Sequence, residues 1–263
     1  MSFGVILILT LTQGITEFLP ISSSGHLVIL PYFLEIPYQG KTFDVVLHFG
    51  SLFAVIFYLK KDIFNILKDL ISKERFTSKG FYLLKCITLA TLPVALIGYI
   101  INFYKFEFVK FIQVVGWTTL IFGILLGIAD KIKINKKFLP RLKDSIIIGL
   151  MQGIAIIPGV SRSGIVITTS RFLGYDRVQS SKFSLFLSIP VILAAMVLKS
   201  IDIYQTEKIT FSFNLGIGFI LSLIFSFFTV KIFMRYIEKA SLKVFVYYRI
   251  ILGIIILYFV YFT

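Results

Sequence analysis

Six uninterrupted apolar stretches limit what this chain can fold into. They lie at about residues 43–59, 81–103, 111–129, 181–199, 212–234 and 243–262. A helix needs about 20 apolar residues to cross a bilayer. With 57% hydrophobic and only 15% charged residues, the chain is also too apolar for an ordinary soluble domain. The sequence therefore predicts an all-α integral membrane protein with six transmembrane helices, formed as one membrane domain over residues 1–263.

Two further apolar regions, about residues 2–35 and 145–173, are interrupted in the middle. The first contains PISSSG at 20–25 and the second contains PGVSRSG at 158–164. Each leg is then too short to cross the membrane, and irregular backbone survives in a bilayer only where protein or a wet cavity satisfies its polar groups. We expect two re-entrant helical hairpins. Two kinked but complete spans are the alternative.

The two interrupted regions resemble each other. Gln-Gly-Ile occurs at 13–15 and again at 152–154, and each copy is followed by a proline and a Ser-x-Ser-Gly sequence. The spans behind them continue at a similar offset, which predicts internal repeats at approximately 1–130 and 140–263. Each repeat holds one hairpin and three spans. Because three is odd, the second repeat must be inserted upside down, which gives an inverted-topology repeat.

The basic residues are distributed unevenly between the connecting segments. Segments 60–80, 130–144, 171–182 and 231–243 carry 19 of the 27 Lys and Arg residues and alternate with the poor segments 40–42, 104–110 and 199–210. The positive-inside rule predicts that the rich segments are cytoplasmic. The first hairpin then opens outward and the second inward. Orientation and anionic lipid account for the net charge of +14, so no nucleic-acid partner is predicted.

Five ionisable residues lie deep inside apolar sequence: Glu17, His26, His48, Arg162 and Arg249. Such residues are expensive in hydrocarbon and usually functional. Three of them fall at the two breaks. His48 and Arg249 fall in ordinary spans, where a structural role is the weightier interpretation: a hydrogen bond for His48, and for Arg249 a pairing either with a carbonyl or with Glu238.

The second break has the composition of an anion site. Ser161 and Ser163 offer hydroxyls, Gly164 permits close approach, and a half-helix predicted from about Ile165 offers unpaired N–H groups at its N-terminus. Arg162 adds a planar fork suited to phosphate oxygens. The alternative is that Arg162 only forms a structural ion pair with Glu17.

The first break adds groups that can do chemistry. Gln13 and Glu17 share one face of a helix, and Ser22, Ser23, Ser24 and Gly25 precede a second half-helix predicted from about His26. Two converging helix N-termini would suit a diphosphate better than a single phosphate. Glu17 and His26 could move a proton, hold a cation or activate a hydroxyl or water.

Together, the motifs QGITE at 13–17, PISSSGH at 20–26 and PGVSRSG at 158–164 resemble the undecaprenyl-diphosphate phosphatase family, also called the bacitracin-resistance family. The resemblance covers nearly the whole chain. It implies a multi-pass enzyme of the bacterial inner membrane that hydrolyses undecaprenyl diphosphate to undecaprenyl phosphate and inorganic phosphate. Such an enzyme recycles the lipid carrier for cell-wall synthesis, confers bacitracin resistance, and here would have an active site that opens outward.

The resemblance also implies roles for individual residues and a Mg²⁺ or Ca²⁺ cofactor, with Glu17 as a metal ligand. The expected catalytic residues are Glu17, Ser23, His26 and Arg162. The expected substrate-binding residues are Gln13, Ser22, Ser24, Gly25, Ser161, Ser163 and Gly164. Gln13 stands where many members have Glu, which removes one possible metal ligand. Whether Ser23 or His26 attacks phosphorus, or only positions water, is left open.

Two further points are left open by the sequence. The inverted repeats and broken helices would also suit a transporter or flippase of an anionic lipid or small anion, and fold-level analogy does not separate that function from the phosphatase. The protein is also a possible homo-oligomer.

Overall fold

The computed structural model describes residues 2–34, 38–103, 112–134, 140–206 and 212–262, and within these ranges it contains helices and no strand. Two short 3₁₀ turns lie at Arg75–Thr77 and Ile154–Ile156. The eleven α-helices of the described ranges are α1 Phe3–Thr16, α2 Ser23–Leu34, α3 Lys41–Tyr58, α4 Lys60–Ile71, α5 Lys79–Phe103, α6 Ile112–Asp130, α7 Leu142–Gly153, α8 Arg162–Phe172, α9 Arg177–Thr206, α10 Phe213–Lys239 and α11 Lys243–Phe262.

Six of these helices are long and apolar enough to cross a membrane, and they are the six predicted from the sequence: α3, α5, α6, α9, α10 and α11. Their outer faces carry large exposed apolar side chains such as Leu96, Ile220 and Ile251. Exposed apolar side chains on this scale are expected where lipid, rather than water, surrounds the helices. Of the predicted connecting segments, 104–110 and parts of 130–144 and 199–210 lie outside the described residues.

The two interrupted regions are indeed broken helices. Their legs, α1, α2, α7 and α8, contain only 11 to 14 residues. At 1.5 Å per residue they are about 16 to 21 Å long, whereas the hydrocarbon core is about 30 Å thick. None of the four legs can therefore cross the membrane alone.

The second leg of each region begins three residues earlier than predicted, at Ser23 rather than His26 and at Arg162 rather than Ile165. The cause is a serine cap. Ser22 and Ser161 have left-handed backbones with φ of 73° and 72°, and their Oγ atoms accept the N–H groups of Gly25 and Gly164. A side-chain oxygen that accepts the backbone N–H group three residues further along is a typical N-cap, and the helix begins at the next residue. Ser23 and Arg162 consequently lie in first helical turns and not in loops.

The broken helices pack against the spanning helices, and α8 is buried among them. Helix α1 packs on α10 and α7 packs on α5, while α8 is enclosed by α6, α7 and α9. Residues Ser163 to Arg171 of α8 are all buried. The main apolar core joins the end of α1 to the spans through Phe18, Leu52, Val166 and Phe186. This packing surrounds the half-helix that follows the second break with α6, α7 and α9.

The four basic segments lie on one side of the molecule. Lys182 contacts Asp62 at 2.7 Å and Arg177 contacts Asp130 at 2.6 Å. The Leu242 N–H donates to the same Asp130 carboxylate at 3.1 Å. These contacts connect the segments 60–80, 171–182, 130–144 and 231–243 through their described residues, as the charge pattern requires.

The two ends of the region α7–α8 meet on that same side. The hydroxyl of Tyr175, which follows α8, donates to Asp144 Oδ2 at 2.6 Å and accepts the Arg141 N–H at 3.0 Å. Burial and the bond to Asp144 raise the pKa of Tyr175 above its ordinary value, so the phenol stays a neutral donor. In the first interrupted region, an apolar cluster that contains Val5, Leu30 and Phe43 joins the start of α1 to the later part of α2.

Candidate active site

Glu17 is the centre of the polar site. It directly follows α1 and is buried, with 7% of its surface exposed. Its Oε2 accepts hydrogen bonds from Ser23 Oγ at 2.7 Å and Gln13 Nε2 at 3.0 Å, and its Oε1 accepts one from Arg162 Nη2 at 3.2 Å. Four predicted site residues therefore meet at one carboxylate. They come from three different helices or helix ends: α1, α2 and α8.

The guanidinium of Arg162 donates hydrogen bonds to two acceptors. One amino group pairs with Glu17, and Nη1 donates to the Ser184 carbonyl of α9 at 3.4 Å. The ion pair with Glu17 that the sequence offered as an alternative is therefore present. Removing one partner of a buried ion pair is strongly destabilising, so Glu17 and Arg162 hold each other in place.

His48 belongs to this cluster, although the sequence favoured a structural role for it. Its Nδ1 donates to the Asp44 carbonyl at 2.7 Å, and its Nε2 lies 3.7 Å from Glu17 Oε2. Asp44, His48 and Ser51 follow one another at helical spacing on one face of α3. That polar stripe is the sequence signal that could have identified His48.

A buried set of serines lies behind Gln13. Ser51 Oγ is 3.5 Å from Gln13 Nε2 and also contacts the hydroxyls of Ser222 and Ser226 on α10, at 3.1 and 3.0 Å. Gln13 Oε1 is buried and has no hydrogen-bond partner among the residues that the structure describes. This amide oxygen is therefore an acceptor that is available beside the Glu17 carboxylate. None of the sequence motifs includes these three serines.

The neighbouring glycines explain how the helices approach so closely. A Cβ atom at Gly14 would lie 2.5 Å from Phe225 Cβ, and one at Gly50 would lie 2.5 Å from the Phe219 carbonyl oxygen. Neither distance is possible for real atoms. The two glycines thus allow α1 and α3 to pack against α10 with Gln13 and Ser51 between them.

His26 points to a different neighbour. Its Nδ1 lies 2.7 Å from the Ser22 carbonyl, which can only accept, so Nδ1 carries the proton. Nε2 then accepts a hydrogen bond from the Tyr248 hydroxyl on α11 at 2.5 Å, and the two rings are stacked. Neither partner of His26 is Glu17 or Ser23. Tyr248 was not identified from the sequence.

The two breaks touch each other directly. Ser163 Oγ donates to the Leu19 carbonyl at 2.7 Å, and a Cβ atom at Gly25 would lie 3.5 Å from Gly159 Cα. Gly159 has φ of 90°, and a Cβ there would overlap Thr118 Oγ1, so only glycine fits. The N-termini of α2 and α8 consequently meet at the site. Each presents unpaired N–H groups and a partial positive charge, a combination that binds anions.

The remaining predicted binding residues are already engaged within the breaks. Ser22 and Ser161 act as helix caps, Ser24 is exposed and lies 3.3 Å from Ser22, and Ser161 also contacts Ser163 at 3.2 Å. Substrate contacts for these serines and for Gly25 and Gly164 stay predictions.

The described residues contain no group of three or more His, Cys, Asp or Glu side chains that could hold a metal ion. Near Glu17 they offer one carboxylate and the unpartnered Gln13 Oε1. Mg²⁺ and Ca²⁺ prefer six or more oxygen ligands. This donor set fits such an ion only when other oxygens, for example those of a phosphate, complete the coordination.

These features define a class: a helical membrane protein of six spans in which two broken helices meet at a buried Glu–Ser–Arg site. Residues 6–255 match the family model described as bacitracin resistance protein BacA, and the chain belongs to that family. It is also similar to proteins named undecaprenyl-diphosphatase. The one from Campylobacter curvus is 41% identical over 258 residues, covering 96% of this chain and 97% of the relative. Those from Campylobacter concisus (41% over 261 residues; 98% and 99%) and Pelagibacter ubique (42% over 266 residues; 97% and 97%) are equally full-length matches.

Proposed function

We propose that this protein is an undecaprenyl-diphosphatase of the bacterial inner membrane. It hydrolyses undecaprenyl diphosphate to undecaprenyl phosphate and inorganic phosphate, recycles the lipid carrier for cell-wall synthesis, and confers bacitracin resistance. The observation that carries the proposal is the hydrogen bond from Ser23 Oγ to the buried Glu17 carboxylate, 2.7 Å long, beside Arg162. Membership of the family and the names of full-length relatives support it.

In the proposed reaction Ser23 is the nucleophile and Glu17 its base. Glu17 removes the hydroxyl proton as Ser23 Oγ bonds to the terminal phosphorus, and the bond from that phosphorus to the bridging oxygen breaks. Undecaprenyl phosphate leaves with the bonding electron pair. Water then attacks the phosphoserine, inorganic phosphate leaves, and Ser23 Oγ recovers a proton. Ser23 is preferred to His26 because Ser23 contacts Glu17, whereas His26 contacts Ser22 and Tyr248.

Arg162 and the two helix N-termini bind the diphosphate in this proposal. The guanidinium exchanges part of its contact with Glu17 for phosphate oxygens, which releases the carboxylate to act as a base. The first turns of α2 and α8 bind the two phosphates through the N–H groups that the serine caps leave free and through the hydroxyls of Ser24 and Ser163, and Gly25 and Gly164 let the phosphates approach the backbone closely. Ser22 and Ser161 support both turns as caps.

Mg²⁺ or Ca²⁺ is the proposed cofactor. Glu17 and the free Gln13 Oε1 would hold it together with substrate oxygens. When bound, the ion would offset negative charge on the phosphates. Because this chain supplies only one carboxylate here, we expect weak binding without substrate.

We further propose that both broken regions are re-entrant hairpins of an inverted repeat, with the repeats at about 1–130 and 140–263. The short legs and the meeting of Arg141 and Asp144 with Tyr175 support a hairpin at the second break. Helix α1 of the first repeat packs on α10 of the second, and α7 of the second repeat packs on α5 of the first. Because α5 and α10 are the second spans of their repeats, these two contacts are equivalent, as expected for related repeats. With the basic side cytoplasmic, the first hairpin and the active site open outward.

The function is tested with purified protein in detergent and undecaprenyl or farnesyl diphosphate. Wild-type protein should release inorganic phosphate, and Ser23→Ala and Glu17→Ala should not. A transporter or flippase would release none, because no chemical step is needed to move a lipid. Substrate labelled in its terminal phosphate should leave label on wild-type protein and on His26→Ala but not on Ser23→Ala. Label that persists on Ser23→Ala would assign the nucleophile to another residue.

A further inference from the structure

Arg249 of α11 is a completely buried arginine, with 0% of its surface exposed. Its partners are five backbone carbonyl oxygens. Nε donates to Thr119 at 3.2 Å, Nη1 to Pro20 and Val160 at 3.2 and 3.1 Å, and Nη2 to Gly159 and Thr118 at 2.9 and 3.5 Å. A guanidinium has five N–H groups, so its donors are fully used.

Three of the five carbonyls belong to the two breaks. Pro20 lies in the first break, between Glu17 and Ser23, and Gly159 and Val160 lie just before Arg162 in the second. A break leaves carbonyls without helical partners, and an unsatisfied carbonyl at membrane depth costs several kcal/mol. Arg249 satisfies them from both breaks with one rigid, planar group.

The space around the side chain leaves Arg249 little freedom. A Cβ atom at Gly123 of α6 would lie 2.7 Å from Arg249 Cβ, and one at Gly164 of α8 would lie 2.9 Å from its Nη1. The absence of a side chain at Gly123 and Gly164 therefore leaves the space that Arg249 occupies between α6 and α8. Its guanidinium is therefore fixed relative to the first turn of α8, where Arg162 begins.

We propose that Arg249 is a positioning residue for the phosphatase reaction. By bonding to both breaks at once, it fixes the pair Glu17–Ser23 relative to Arg162. It acts through the backbone and does not contact these three side chains. The inference rests on the proposed function, since the geometry that Arg249 maintains is the one that the reaction uses. A misplacement of about 1 Å in such a geometry can cost about 100-fold in rate.

The chain offers a matched control in Arg171. That residue is also buried, with 1% exposed, and also donates to backbone carbonyls, namely those of Tyr175 at 2.6 Å, Asp130 at 3.1 Å and Ile132 at 2.8 Å. It lies nine residues beyond Arg162 on α8, which is about 13 Å along the helix. Arg171→Lys therefore removes comparable bonds far from the site.

The experiment compares Arg249→Lys and Arg171→Lys in folded, monodisperse protein, with phosphate release from farnesyl diphosphate, thermal unfolding and a double-mutant cycle with Arg162→Lys. Both single variants should unfold at lower temperature than wild type. Only Arg249→Lys should lower kcat, by about 100-fold per folded molecule. On the Arg162→Lys background its further effect should fall below about fivefold, since residues that act through one another are not additive.

If Arg249 were purely structural, its replacement would lower the amount of folded protein, and the effects of Arg249→Lys and Arg162→Lys on kcat would be additive. That result would overturn the inference. Equal kcat values for Arg249→Lys and Arg171→Lys would also overturn it. If Arg249→Lys does not fold, Arg249→Gln, which keeps two donors, replaces it; failure of both while Arg171→Lys folds would assign Arg249 to the fold alone. Wild-type protein that releases no phosphate would instead refute the proposed function.

Discussion

Replacing Arg162 by lysine keeps the positive charge and removes the planar fork. In the structure Arg162 reaches Glu17 Oε1 with Nη2 and the Ser184 carbonyl with Nη1, at 3.2 and 3.4 Å. A single ammonium group cannot occupy both directions, nor two oxygens of one phosphate. At least one hydrogen bond to a charged group is lost, which is worth about 1.5–3 kcal/mol. At about 1.4 kcal/mol per factor of ten, kcat/KM should fall by about 10- to 150-fold.

The assay is phosphate release from undecaprenyl diphosphate in detergent, with kcat and KM measured separately and unfolding followed in parallel. Arg162→Lys should unfold close to wild type, because the ion pair with Glu17 persists. Arg162→Ala should unfold at lower temperature, since Glu17 is then a buried anion without its cation. Full activity of the lysine variant would show that charge alone is sufficient and would refute the role assigned to the fork.

Three further predictions concern the metal, the histidine and the orientation. Gln13→Glu should raise divalent-ion affinity measured by calorimetry in lipid-free protein, because it adds a second carboxylate beside Glu17; unchanged affinity would remove Gln13 from the metal site. Tyr248→Phe removes the donor to His26 Nε2. The NMR titration curve of the His26 imidazole should therefore shift, while the rate of phosphate release changes less than tenfold. A loss of activity as large as that of Ser23→Ala would show that His26 and Tyr248 take part in the chemistry. In a cysteine-free background, a cysteine at Gln205 should react with an impermeant thiol reagent on intact cells and one at Ser72 should not, and the reverse pattern would invert the proposed orientation.

Much of the architecture could be predicted from local sequence. The six spans were predicted because a bilayer demands about 20 apolar residues for each crossing helix, and all six are present. The breaks were predicted because the clustered proline, glycine and serine residues of PISSSG and PGVSRSG favour a turn over a continuous helix. Single prolines do not have this effect here, since Pro93 and Pro190 lie inside α5 and α9. Their boundaries were wrong by three residues, because Ser22 and Ser161 adopt left-handed backbones that start the next helix early. Such a conformation depends on the packing of both breaks and leaves little trace in residue order.

The site was predicted in part. Glu17, Ser23 and Arg162 meet as the motifs indicated, since each lies at a break that has to bury its polar groups. His48 and Arg249 were given less weight because they lie in uninterrupted spans, where sequence reveals the helix but not what faces it.

What the sequence by itself determined is therefore whatever depends on one segment and its solvent: which stretches cross the membrane, where they break, and which polar residues are costly enough to need partners. Only the tertiary structure decided which residues are the hydrogen-bond partners of those polar groups. Tyr248 and Arg249 are more than 200 residues from the His26 and Pro20 that they contact. In a bilayer every buried donor must find an acceptor within the protein, but which acceptor it finds depends on how distant helices pack.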